Sequence, residues 1–186
     1  MSVLDHPRIF PVTRTSMRMA HRDRTQELRA PGPGFAAPST LVYSLLMLRQ
    51  STTTLGFDTR GRGLIEITRP VADWAAESDM ESGLLTLFVR HTSASLVVQE
   101  NADPEVRGDL ERFFARLVPD GDSLFRHRDE GADDMPAHVR AALTAVQLSI
   151  PLSGGLLALG TWQGIYLWEH RTRPHRREVA LHLVGS

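Results

Sequence analysis

The chain has 186 residues, of which 41% are hydrophobic, and a formal charge of −1, so one domain is expected and wholesale electrostatic binding to nucleic acid is not. All 21 basic residues are arginine and cysteine is absent, which excludes lysine Schiff bases, lysine-dependent phosphate loops, thiol nucleophiles, cysteine–zinc sites and disulfides. Because no apolar run reaches the ~18 residues of a membrane span, we expect a cytoplasmic protein without membrane partners.

Residues 1–46 differ in composition from the rest of the chain. Their six arginines outnumber three acidic residues, and periodicity is interrupted by Pro7, Pro11, Pro31, Pro33 and Pro38. We expect a disordered tail, or an extension upstream of a true start at Met47, while an organellar-type presequence stays open. Residues 47–186 are then the folded domain.

From Met47 the pattern becomes that of a β-rich domain. Before residue 100 it predicts strands over 51–55, 63–68, 84–89 and 96–99, and a helix over 71–81. The run 84–89 is continuously apolar, which is typical of a strand buried on both faces.

Two further helices follow. Asp103 is a suitable N-cap and Pro104 a suitable first residue for a helix with an apolar stripe at Val106, Leu110, Phe113, Phe114 and Leu117. Pro136 favours the first turn of a second, short helix, with apolar residues at Val139, Ala142, Leu143 and Val146. Later strands are predicted over 146–152, 156–159, 162–170 and 179–184. The order favours an α+β fold with a mostly antiparallel sheet or sandwich.

The segment 127–138 concentrates polar groups between two histidines. His127 and His138 bracket Asp129, Glu130, Asp133 and Asp134. The histidines can converge on one metal ion, or the helix start can bind an anion. Their spacing matches no standard zinc motif, and a solvated acidic loop explains the segment about as well.

Three other segments carry groups that can do chemistry. His91 precedes three hydroxyl residues, Thr92, Ser93 and Ser95, in a turn suited to an oxyanion or phosphate. Glu100 and Asn101 precede the helix at Pro104. Gln163 and Glu169 lie on a later strand, followed by Arg171, Arg173, Arg176 and Arg177, which can hold a phosphate bidentately or simply form a solvated hairpin tip.

These segments together resemble a known family. The residues that carry the likeness are His91-Thr92-Ser93-Ala94-Ser95, Glu100-Asn101-Ala102-Asp103-Pro104, Glu130-Gly131-Ala132-Asp133-Asp134-Met135-Pro136-Ala137-His138 and Gly160-Thr161-Trp162-Gln163-Gly164-Ile165. They stand in the order and spacing of the YjbQ-like family, often labelled secondary thiamine-phosphate synthase. The likeness covers residue 47 to the end.

The resemblance implies a mostly antiparallel two-sheet β-sandwich with two to three short helices, assembled as a homotrimer. It implies that the polar motifs gather in one pocket at or near a subunit boundary. The site residues that it implies are His91, Glu100, Asn101, His127, His138, Gln163 and Glu169.

The implied activity joins a hydroxymethylpyrimidine diphosphate to a thiazole phosphate and releases pyrophosphate. Such a reaction favours a divalent ion, zinc or magnesium, held between His127 and His138, and cationic groups on the phosphates. The domain is too short for the TIM barrel that usually performs it. The alternative is a protein that binds or repairs a small phosphorylated metabolite, with synthase activity as a weak side reaction.

Overall fold

The structure, a computed structural model, describes the backbone of residues 9–17 and all of residues 48–186. The strands are β1 (Ile9–Met17), β2 (Arg49–Asp58), β3 (Gly63–Glu66), β4 (Ser82–Val89), β5 (Ala94–Glu100), β6 (Gln147–Ser153), β7 (Leu156–Leu157), β8 (Gln163–Glu169) and β9 (Arg176–Gly185). The helices are α1 (Thr68–Ala76), α2 (Pro104–Leu117) and α3 (Asp134–Leu143).

The strands form two antiparallel sheets. The larger has the order β1-β2-β9-β4-β6-β7 and the smaller the order β3-β8-β5. The predicted α+β fold with two mostly antiparallel sheets and two to three short helices is confirmed. Among the described residues, no helix is both long and apolar enough to cross a membrane.

The core lies between the sheets and results from alternation along the strands. Val179, Leu181 and Leu183 of β9 point inward, as the period-2 pattern predicts. Ile165 and Leu167 of β8 face them from the smaller sheet within one buried apolar cluster. The opposite face of β8 is covered by α2, where the rings of Phe114 and Trp168 meet edge to face at 4.9 Å.

The start of α2 agrees with its sequence signals. The Asp103 carboxylate accepts a hydrogen bond from the Glu105 N–H, and Pro104 begins the helix. Its apolar stripe is only half covered, since Phe113 and Leu117 stay exposed.

Two predicted faces differ from the structure: one is not buried within the single chain, and the other is wrong. In β4, the strand expected to be buried on both faces, Leu84 and Phe88 are 42% and 47% exposed in the single chain. In α3, the predicted apolar residues are not the buried ones, and Leu143 lies outside. The buried residues of α3 are Asp134, Pro136, Ala137, Arg140 and Ala141. Partners in other segments hold these polar residues in part: Arg140 Nη2 donates to the Val118 carbonyl, whereas its Nε and Nη1 have no hydrogen-bond partner among the described residues.

The N-terminal segment differs in part from expectation. No element is predicted before residue 47, yet Ile9–Met17 pairs as strand β1 with β2 along its whole length, with an irregularity between Pro11 and Thr13. The remainder of 1–47 lies outside the described residues, so its expected disorder and the start at Met47 stay predictions.

A buried ion pair joins the sheets at one end of the sandwich. The Glu169 carboxylate of β8 accepts two hydrogen bonds from the Arg177 guanidinium of β9, at 2.5 and 2.7 Å. Thr59 and the Arg171 backbone N–H donate to the same carboxylate. Burial alone would raise the pKa of Glu169, but these donors outweigh it and hold the pKa below its ordinary value.

Removing the Arg177 side chain should lower the free energy of unfolding substantially. In Arg177→Met the Glu169 carboxylate would stay buried without its partner, and we expect a loss of about 3–5 kcal/mol in the free energy of unfolding. The matched control is Arg90→Met, which breaks the exposed pair with Glu178 and should cost less than about 1 kcal/mol. Urea unfolding measures both, and equal losses would contradict this role of the pair.

Candidate functional site

A histidine–aspartate–histidine cluster lies at the start of α3. His127 precedes the helix, Asp134 opens it, and His138 follows one turn later, so the helix aligns the last two. His127 Nε2 lies 2.8 Å from Asp134 Oδ2, and His138 Nε2 lies 3.7 Å from Asp134 Oδ1. One ligand atom from each residue lies within 4.8 Å of the others. The group can hold a metal ion.

Asp134 is held in place by a buried arginine. Its side chain is 2% exposed, against 47% for His127 and 32% for His138. Arg171 Nη1 donates to Asp134 Oδ1 at 2.6 Å. Oδ2 has no aligned hydrogen bond among the described residues, although it lies beside the His127 ring. A buried carboxylate oxygen without a hydrogen-bond donor suits a cation.

The ring of His138 is fixed through its other nitrogen. Nδ1 lies 3.1 Å from the Thr92 carbonyl oxygen, which can only accept, so the neutral ring carries its proton on Nδ1 and leaves Nε2 as a lone-pair donor. An imidazole bound to a metal is typically fixed by such a contact. Thr92, the residue that follows His91, thus orients the His138 ring.

The loop before α3 is bound to the segment after β8. Asp133 accepts hydrogen bonds from Arg171 Nε and from both the backbone N–H and the hydroxyl of Thr172. Burial would raise the pKa of Asp133, but these donors outweigh it and lower the pKa to about 2. Asp133 is therefore a charged anchor for the loop that carries the cluster.

His91 and Glu169 lie at the same end of the sandwich, and both are engaged in structure. His91 Nε2 accepts a hydrogen bond from the Glu178 backbone N–H. Burial, and next to it the charge of Arg177, lower the pKa of His91, so the ring is neutral with its proton on Nδ1. Glu169 is fully buried in the pair with Arg177.

Glu100, Asn101 and Gln163 lie at the opposite end of the smaller sheet. In the register of β5 with β8, Glu100 is paired with Gln163 and Ala94 with Glu169. Six residues of strand separate the two pairs, about 20 Å. Within one chain the implied site residues therefore form two groups and do not share one pocket.

The second group is organised around the turn before β8. Gln163 Oε1 accepts a hydrogen bond from the Gly160 N–H, and the Asn101 N–H donates to the Trp162 carbonyl. Tyr166 donates its hydroxyl hydrogen to the Glu100 carbonyl. Trp162 itself is 66% exposed. These contacts hold the turn in a fixed shape and leave an aromatic ring on its surface.

Two cavities adjoin the first group. One of about 520 Å³ is lined by Arg128, Asp129, Glu130, Gly131, Arg171, Arg173 and His175. A smaller one of about 130 Å³ is lined by Gly121, Asp122, Phe125, His127, Arg128, Ala132 and Pro136. The first has charged walls, whereas the second is mostly apolar. His175, which was not among the residues predicted for the site, lines the larger one.

Sequence reasoning missed part of this arrangement. In the sequence, Asp134 is only one of four acids between the two histidines, and Arg171 is one of four arginines that can hold a phosphate or form a solvated hairpin tip. The available signal was the spacing of Asp134 and His138, one helical turn apart after a predicted helix start. Nothing local to the sequence indicates that Arg171 reaches back to Asp134.

The fold and the cluster define a two-sheet α+β protein with a group that can hold a metal at one end. Residues 53–186 match the family described as UPF0047 protein YjbQ-like. The chain is 50% identical over 146 residues to UPF0047 protein sll1880 of Synechocystis sp., covering 78% of this chain and 99% of that protein. It is 44% identical over 142 residues to UPF0047 protein YjbQ of Escherichia coli O157:H7, covering 75% and 100%. The chain belongs to the YjbQ-like family.

Solved structures of similar proteins agree with this family assignment. The conserved hypothetical protein TT1486 of Thermus thermophilus is 38% identical with a TM-score of 0.62, covering 69% of this chain and 96% of that one. A YbjQ-like protein of unknown function from Sulfolobus solfataricus is 21% identical with a TM-score of 0.65, covering 74% and 99%, and shows the shared fold. The family inferred from the motifs is confirmed.

The buried His170 predicts a pH dependence of stability. Burial, and next to it the charge of Arg140, lower its pKa to about 3. Between that pKa and about 6.5 the unfolded chain binds a proton that the native chain does not. The free energy of unfolding should therefore fall as the pH drops below about 6.5, by about 1.4 kcal/mol per pH unit for this histidine.

Urea unfolding between pH 7.5 and 5 measures this slope. His91, whose pKa is also lowered, adds to it in the same direction. His170→Gln should reduce the slope by about 1.4 kcal/mol per pH unit, which corresponds to one proton. A slope unaffected by His170→Gln would show that this ring does not stay neutral in the fold.

Proposed function

We propose that the chain is a metal-assisted enzyme that acts on a small phosphorylated metabolite. The single observation that supports this most is the His127–Asp134–His138 cluster. In it, a buried carboxylate oxygen that has no aligned hydrogen-bond donor in the described part of the chain lies beside two partly exposed imidazoles. Three protein ligands with remaining access from solvent are typical of catalytic rather than structural zinc sites.

The proposed metal is zinc or another transition ion. Imidazole nitrogens favour such ions, whereas magnesium prefers oxygen ligands and water. A divalent ion bound there supplies Lewis-acid polarisation of a phosphoryl or carbonyl oxygen. The chain's own residues orient the site: Thr92 aligns His138, and Arg171 holds Asp134. His91 is proposed as a hydrogen-bond donor through Nδ1, and Glu169 as a positioning residue.

The arginines beside the cluster support the proposal that the substrate is phosphorylated. Guanidinium groups match phosphate geometry, and the larger cavity has three of them in its walls. The resemblance to the family implies a specific transferase reaction, thiamine-phosphate synthesis. Glu100, Asn101 and Gln163 are further candidate residues for this reaction. A cytoplasmic location remains part of the proposal.

Metal content of the purified protein tests the cluster. We expect about one zinc or other transition ion per chain by plasma mass spectrometry, lost in His138→Ala and much reduced in Asp134→Asn. The matched control His182→Ala, a histidine outside the cluster, should keep its metal. A wild-type protein without transition metal would remove the metal-assisted mechanism and leave at most a magnesium-dependent one.

Catalytic efficiency separates the enzyme from the alternative, a protein that binds or repairs a phosphorylated metabolite. A dedicated synthase should reach a kcat/KM of about 10⁴ M⁻¹s⁻¹ or more with the pyrimidine diphosphate and the thiazole phosphate, and His138→Ala should abolish turnover. A wild-type value several orders of magnitude lower, with tight binding of a phosphorylated ligand, would favour the alternative. Turnover unaltered in His138→Ala would contradict the site.

We also propose that copies of the chain assemble, as a homotrimer, through the outer face of the larger sheet. Three cross-strand rows of this face are free of charge. They are Gln50–Val184–Leu84–Pro151, Thr52–His182–Thr86–Ser149 and Thr54–Ala180–Phe88–Gln147. A shallow cavity of about 300 Å³ lies among them. The outer face of a solvated antiparallel sheet is normally polar and charged, so an uncharged one that exposes Leu84 and Phe88 favours a partner.

A charge placed in this face should disrupt the assembly. Ala180→Arg would bury a guanidinium at the centre of the rows, and we expect monomers by size-exclusion chromatography with light scattering. Ala115→Arg, the same change on the exposed side of α2, should leave the trimer intact. A trimer that survives Ala180→Arg would place the interface elsewhere.

A further inference from the structure

The larger cavity beside the metal-type cluster is formed by two segments. One is the loop Arg128 to Gly131 before α3, and the other is the turn after β8 that carries Arg171, Arg173 and His175. Arg171 forms the shared wall, because its guanidinium lines the cavity and also contacts Asp134 of the cluster. A molecule in this cavity therefore lies next to the candidate metal ligands.

The arginines of the cavity are not equivalent. Arg171 uses four of its five N–H donors: it donates to the carboxylates of Glu130, Asp133 and Asp134 and to the Glu130 carbonyl. Arg173, by contrast, has no hydrogen bond or ion pair through its guanidinium within the described part of the chain. Arg128 uses only Nε, which donates to the Phe125 carbonyl. Two guanidinium groups on opposite segments thus retain N–H donors for a ligand.

The net charge of the cavity and the neighbouring cluster depends on whether a metal is bound. Three arginines stand against four carboxylates here, those of Asp129, Glu130, Asp133 and Asp134. Without a metal the combined cluster and cavity are net negative, which opposes an anion. A divalent ion on Asp134 would make the same region net positive, which favours one.

We propose that Arg128 and Arg173 bind the phosphate monoester group of the substrate, and that they do so once a divalent ion occupies the His127–Asp134–His138 cluster. This inference rests on the proposed function and assigns its anion subsite. Arg171 does not contact the phosphate; it neutralises the acids of the loop and positions Asp134. By linkage, the anion strengthens metal binding by the same factor as the metal strengthens anion binding.

The test is titration calorimetry of methyl phosphate into the full-length protein, metal-free and loaded with one equivalent of Zn²⁺. We expect the zinc-loaded protein to bind at least tenfold more tightly than the metal-free one. Arg128→Gln and Arg173→Gln should each weaken that binding at least tenfold, because charge-assisted hydrogen bonds to phosphate are the strong ones. Zinc affinity in the absence of methyl phosphate should be unchanged in both.

Arg69→Gln is the matched control, since Arg69 is an exposed arginine of α1 outside the cavity, and it should bind like wild type. Equal binding of methyl phosphate by wild type and both arginine variants would overturn the subsite while the metal centre stands. The subsite would also be overturned if the protein bound zinc but no methyl phosphate, or if it bound methyl phosphate equally well with and without zinc. A wild-type protein that does not bind zinc would instead overturn the proposed function and this inference with it.

Discussion

The Glu169 carboxylate lies fully buried between the two sheets and accepts hydrogen bonds from Arg177 on β9, from Thr59 and from the Arg171 backbone. The same group that joins the sheets thus fixes the point from which the Arg171 side chain starts. Because that side chain reaches Asp134, the orientation of the candidate metal ligand depends on the packing of the sandwich. Such coupling gives precision to a site built on loops.

The two polar ends of the smaller sheet differ in kind. At the Glu169 end, Glu169 and Asp134 are paired with arginines, and His91 and His138 are oriented by backbone groups. At the Gln163 end the polar side chains satisfy the backbone of a turn and present Trp162 to solvent. The first arrangement can bind ions, and the second is suited to contact with another surface.

Local signals in the sequence predict the elements well. The cap at Asp103 and the alternation in β9 each need only neighbouring residues, and both agree with the structure. The face of α3 could not be predicted, because the burial of Asp134 and Arg140 depends on partners far along the chain. The separation of Glu100 from Glu169 likewise follows only from strand register. Motif order shows that such residues belong to one family pattern, but not that they lie in one place.

Strand β1 of the N-terminal segment changes which strand lies at the edge of the larger sheet. It lies outside the residues that match the family, 53–186, yet it pairs with residues 50–57 of β2. Without it, β2 would present an unsatisfied row of backbone N–H and C=O groups along its ten residues, and open edges of this kind template aggregation. With it, the open edge of the larger sheet moves from β2 to β1, a nine-residue strand that carries Pro11 and an irregularity between Pro11 and Thr13. Proline and irregular pairing are two of the features by which edge strands resist pairing with other chains.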